Sequence, residues 1–140
     1  MADIRTFKVA VTTTGTTDAA VGSTTSKPVF GYLLDVYLDY SASISGTATD
    51  VTLAYAAGET GEETGSQVAK VAVPARGNLL VVSNNKTDGL YAPRQTYYDA
   101  AAASQGALVL YPLDGPLTVS VAGSDALTDC VIAYIRYMTV

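Results

Sequence analysis

The chain has 140 residues and a net charge of −5, with 49% of its residues hydrophobic and 15% charged. Its eight basic residues stand singly, which excludes the clustered Lys and Arg that a phosphate backbone requires, and so nucleic acid as a direct partner. No apolar run reaches the roughly eighteen residues that span a membrane, and the lack of histidine removes the commonest general base, metal ligand and pH switch.

Residues 4–12 alternate Phe7, Val9 and Val11 against Thr6, Lys8, Ala10 and Thr12, which predicts a strand with one wet face. The start M-A-D-I-R-T-F-K lacks the basic and apolar regions of a secretory signal, so a chain used without export is expected. The Thr/Ser/Gly stretch that follows has little to bury, and a flexible arm or loop is expected at about 13–27. Deleting residues 1–27 is then expected to leave a folded domain with weakened partner binding. Residues 28–40, P-V-F-G-Y-L-L-D-V-Y-L-D-Y, place Phe30, Tyr32, Leu34, Val36, Leu38 and Tyr40 on even positions. Period two predicts one long strand with that even face toward the core. Its odd face carries Leu33 and Tyr37 between Asp35 and Asp39, a mixture that suits a partial interface.

Val51, Leu53 and Tyr55 give a further strand over 50–56, and the Gly-rich acidic stretch 57–66 reads as a loop. Residues 67–73 predict a strand ending at Pro74, and the L-L-V-V run within 78–83 a strand buried on both faces. Pro93 makes 90–98 an edge or a loop, and the alanines of 99–104 are too few for an independent helix. Strands over 107–111 and 117–121 flank the turn P-L-D-G-P, and a last strand runs from 130 to 138. About eight strands spaced by turn residues, with no amphipathic helix, predict an all-β fold. The expected architecture is an antiparallel, jelly-roll-like β-sandwich forming one domain over 1–140. Average soluble chains carry about 25% charged residues, so the apolar excess here points to a two-sided core or a large intersubunit interface.

Little in the chain suggests turnover chemistry. Asp35 and Asp39 share a strand face but stand roughly 13 Å apart at about 3.3 Å per residue, too far for a glycosidase pair. Glu59, Glu62 and Glu63, with Asp50, lack the spacing of a calcium loop, and no metal or other cofactor is expected. There is no G-x-S-x-G nucleophile turn and no phosphate-cradling glycine pattern between a strand and a helix. Cys130, the sole cysteine, is expected to be a small buried hydrophobe. The ten tyrosines suit core and subunit-interface positions, while the lack of Trp weighs against a sugar-stacking platform.

The run D-G-L-Y-A-P-R-Q-T-Y-Y-D-A-A at 88–101 follows L-L-V-V-S-N-N-K-T-D and precedes Y-P-L-D-G-P-L-T-V-S-V-A-G. In that order the segments resemble small virion proteins of tailed bacteriophages, over roughly residues 79–140. The resemblance implies a non-enzymatic decoration (cement) protein of the head, assembled in the host cytoplasm. Its expected partners are further copies of itself, as a trimer, and the major capsid protein, with no membrane and no nucleic acid. Leu33, Tyr37, Tyr91, Arg94, Tyr97 and Tyr98 are the expected interface residues. A tail, neck or fibre-base protein and a glycan-binding sandwich module are the alternatives.

Overall fold

The computed structural model describes residues 2–56, 78–98 and 104–140, with the side chains of all of these except 96–98 and 104–107. These residues form β1 (Ile4–Val11), β2 (Ala20–Thr25), β3 (Val29–Tyr40), β4 (Asp50–Tyr55), β5 (Asn78–Val82), β6 (Gly89–Tyr91), β7 (Gln95–Tyr98), β8 (Ser104–Val109), β9 (Pro112–Gly115), β10 (Leu117–Ser124) and β11 (Val131–Met138). The expected strands at 4–12, 50–56, 78–83, 117–121 and 130–138 all form, within a few residues at their ends. The expected strand at 67–73, the acidic stretch 57–66 and the alanines 100–103 lie outside the described residues.

Strand pairing explains the architecture. β1 pairs with β11, β2 with β10, β3 with β6 and β4 with β5, all antiparallel, so four pairs nest one inside the next as the arms of one long hairpin. Pairing of β11 with β3 and of β10 with β4 rolls that hairpin into two sheets. Their orders are β1-β11-β3-β6 and β2-β10-β4-β5, the winding of a jelly roll. Between β6 and β10 the chain adds a separate β7-β8 ribbon and the short β9, which extends the first sheet along β3.

The core lies between the sheets. Val9, Val11, Leu33, Val36, Leu38, Val131, Ala133 and Ile135 face inward from one sheet, and Val51, Leu53, Leu117, Val119 and Val121 from the other. Each buried Val, Leu or Ile contributes about 1.5–3 kcal/mol of hydrophobic stabilisation. Phe7 and Tyr137 close one end of this core, their rings edge-on with centroids 5.6 Å apart. Cys130 is fully buried as expected, its sulfur 3.3 Å from the Ser124 hydroxyl, which also accepts a hydrogen bond from Thr49.

Three expectations need correction. The stretch 13–27 is not a loose arm throughout, because it contains β2, an edge strand of the second sheet. Its inward side is small because the β1 main chain runs close beneath it: a Cβ on Gly22 would overlap the Thr12 carbonyl, and the Thr24 hydroxyl donates to Ala10 O at 2.8 Å. Hydroxyls there satisfy backbone groups that an apolar strand would leave unpaired. Likewise P-L-D-G is not a turn but β9, whereas the stretch 90–98, expected as an edge or a loop, holds the end of the edge strand β6 and all of β7.

The third correction concerns β3. Val36, Leu38 and Tyr40 are buried on even positions as expected, but Val29, Gly31 and Leu33 are the buried residues before them. Asp35 pairs with Arg136 while Leu33 pairs with Tyr137, so Leu34 is one residue extra, a β-bulge. Such an insertion exchanges the two faces. Phe30 and Tyr32 therefore point outward, and Leu33 is fully buried.

Candidate assembly face

The two sheets turn unlike outer faces to solvent. On the β2-β10-β4-β5 sheet the outward register sets Thr25 beside Thr118, and Ser23 beside Ser120 and Thr52. The Thr25 and Thr118 hydroxyls lie 2.9 Å apart in a hydrogen bond. Its two exposed large aliphatics, Val21 and Val81, stand on opposite edge strands.

On the first sheet the register stacks outward residues into rows. One row runs Lys8, Tyr134, Tyr37, Leu90; the next Thr6, Arg136, Asp35; a third Ile4, Met138, Tyr32, Pro112, with Phe30 beyond it. Ile4 (63%), Phe30 (62%) and Leu90 (64%) are largely exposed, and Tyr32 (39%) and Tyr37 (40%) substantially so. Tyr37 and Tyr134 form a tilted ring pair with centroids 6.3 Å apart. Aromatic side chains that present apolar area with a polar tip are the residues enriched at protein interfaces.

An ion pair occupies the middle row. The Arg136 Nε donates to both Asp35 carboxylate oxygens at 3.1 Å, and Nη2 closes on Oδ2. The hydrogen bond to Asp35, reinforced by its charge, raises the pKa of the guanidinium. The Asp35 side chain is mostly covered, whereas that of Arg136 is half exposed.

The bulge that aims Phe30 and Tyr32 outward is held from the far edge of β3. There β6 covers Val36–Leu38 and β9 covers Val29–Tyr32, which leaves a gap in the ladder. Tyr111 O accepts from Leu33 N across this gap at 3.0 Å, and the Arg94 guanidinium donates to Leu34 O at 2.9 Å. Arg94 also bonds the Pro93 carbonyl, so its half-buried side chain serves the fold. The backbone of Gly31 has φ +145°, and a Cβ there would overlap the Met138 carbonyl.

Of the residues expected at an interface, Tyr37 lies on this outer face. Leu33 is corrected to the core, because the bulge turned it inward. Tyr91 is corrected to the inner side as well: it pairs opposite Val36, packs against the core, and its hydroxyl accepts from Asn85 Nδ2 at 3.3 Å. Arg94 braces the bulge. The side chains of Tyr97 and Tyr98 lie outside the described residues. Sequence reasoning missed Ile4, Phe30, Tyr32 and Tyr134 as outward residues of one face. Gly31 inside a long strand was the available signal, since strand glycines mark bulges and close backbone approach.

Among the described residues no three His, Cys, Asp or Glu side chains converge as metal ligands. Asp50 instead accepts from Asn84 N at 2.9 Å, and Glu59, Glu62 and Glu63 lie outside the described residues. Asp125 ties loops together: its carboxylate accepts from the backbone and hydroxyl of Ser45 and from Asp18 N. Those bonds, the Ser45 backbone bond foremost, hold its pKa below the usual carboxylate range. No family model matches the sequence, and comparison with curated proteins gives no match.

Proposed function

We propose that this chain is a non-enzymatic structural protein of a tailed-bacteriophage virion, a decoration protein that binds major capsid subunits and stabilises the head. One observation carries this reading: the outer face of the β1-β11-β3-β6 sheet collects exposed aromatic and aliphatic residues, while the opposite sheet is dressed in short hydroxyls. Exposed aromatic and aliphatic side chains gathered on one face mark an interaction site, here in rows on either side of the Arg136–Asp35 pair. A jelly roll alone does not choose a function, since the same winding serves capsid, lectin and cupin domains. The order of segments over 79–140, which resembles small phage virion proteins, favours the virion among these. Low charge, no histidine and a single buried cysteine suit a part that assembles once and endures.

Quantitative mass spectrometry of purified virions tests the reading. Hundreds of copies per particle are expected for a shell decoration. Tens or fewer would move the protein to the tail, neck or fibre base, and its absence from virions would overturn the proposal.

A further inference from the structure

We infer that the aromatic face binds a second copy of this chain, about a two-fold axis parallel to the strands and running between β3 and β11. The inference rests on reading that face as an assembly surface and adds its occupant and geometry. Electrostatics select this geometry. A two-fold contact is isologous, so every residue of the face meets its mirror position across the axis on the other copy. With the axis along the strands, β11 of one copy lies over β3 of the other, and rows are preserved. Arg136 then meets Asp35 of the second copy twice over, and Tyr134 meets Tyr37 of the second copy. With the axis across the strands through that row instead, Arg136 meets Arg136 and Asp35 meets Asp35. Like charges brought face to face are strongly disfavoured at an interface, so the charge pattern selects the first geometry.

The side chains are prepared for it. Arg136 spends Nε and Nη2 on its own Asp35, and among the described residues no partner takes Nη1. A guanidinium carries five donors, and this one is half exposed with Nη1 to spare. Two such pairs crossing the axis form a closed ring of alternating charge, with the tyrosine row beside it. Sheets stacked face to face lie about 10 Å apart with strands aligned to within about 30°, which either two-fold axis permits. Where the charged row meets itself, charge therefore decides between them.

The test exchanges the charges within one chain. The Asp35→Arg/Arg136→Asp variant keeps the intrachain pair and is mixed with mass-tagged wild-type chain for native mass spectrometry. Under the proposed axis each chain pairs with its own kind, because a mixed pair sets Arg136 against an arginine and Asp35-type charge against an aspartate. Mixed dimers at least about tenfold rarer than random pairing are expected. Mixed dimers at or above the random share would overturn the axis while leaving the face as an assembly surface. Wild-type chain that stays monomeric would overturn the self-association while leaving that face to the capsid subunits of the proposed function. Should the exchanged variant not fold, a Tyr37→Cys chain mixed with a Tyr134→Cys chain replaces it. A thiol crosslinker about 10 Å long should then join one chain of each kind, and Tyr37→Cys chains joining only one another would contradict the geometry.

Discussion

The Arg94 guanidinium donates to the carbonyl of Leu34, 2.9 Å away, at the residue that β3 bulges out of its ladder with β11. This one bond links the interior of the sandwich to its surface. The bulge decides that Leu33 packs inside while Phe30 and Tyr32 face outward, and Arg94 supplies the donor that a neighbouring strand would otherwise bring.

Removing that donor should loosen the fold. Arg94→Ala leaves the Leu34 carbonyl without its charged partner, and about 1–3 kcal/mol of stability should be lost in urea unfolding. Arg94→Lys should recover part of it through a single ammonium donor. A loss below about 0.5 kcal/mol for Arg94→Ala would mean that solvent replaces the bond.

Leu33 and Tyr37, four residues apart on β3, should behave as opposites. Leu33→Ala removes a fully buried side chain and should cost about 2–5 kcal/mol. Tyr37→Ser, on the outer face, should change stability by less than about 1 kcal/mol while weakening self-association. Thermal melts and sedimentation of the two variants separate these effects.

Tyr40 gives the alkaline limit of stability. Its ring is buried at 5% exposure and its hydroxyl has no hydrogen bond of ordinary geometry. Burial pushes its pKa up to about 12, with Asn85 opposing. An unfolded tyrosine ionises near pH 10, so between about 10 and 12 the unfolded chain has released a proton that the folded chain still holds. The stabilisation is complete below about pH 10 and falls as pH rises toward 12. Tyr40→Phe should match wild type at neutral pH or slightly exceed it. It should also lose less stability at pH 11–12, by on the order of 2 kcal/mol. Parallel urea titrations at pH 8 and 11.5 check this, and identical slopes would refute it.

Deleting residues 1–27 should abolish the fold rather than spare it. The cut removes β1 and β2, the outer partners of β11 and β10, and with them Val9, Val11 and Ala20 from the interior. Loss of strand signal in far-ultraviolet circular dichroism is the expected result. A cooperative thermal transition in the truncated chain would show that β3–β11 suffice.

The sequence revealed the fold class wherever a strand had one apolar face. Val51, Leu53 and Tyr55 announced β4, and Leu117, Val119 and Val121 announced β10, because period two survives intact there. It failed at β2, whose inward Gly22 and Thr24 are chosen for closeness to the β1 backbone rather than for apolar area. It half failed at β3, where one bulged residue reverses the alternation and sends Leu33 inward and Phe30 outward, each against the expected face. The assembly face was illegible for a related reason. Its members come from β1, β3, β6, β9 and β11, and only the strand register sets Ile4 in a row with Tyr32, or Tyr134 beside Tyr37.

The central claim is that copies of this chain meet through the outer face of the β1-β11-β3-β6 sheet. Sedimentation equilibrium of the Tyr37→Ser/Tyr134→Ser variant tests it most directly, beside wild-type chain and a Thr52→Ala variant of the opposite sheet. Wild type and Thr52→Ala should associate alike, and the double tyrosine variant should remain monomeric with its melting temperature little changed. A double variant that associates as tightly as wild type would contradict the account.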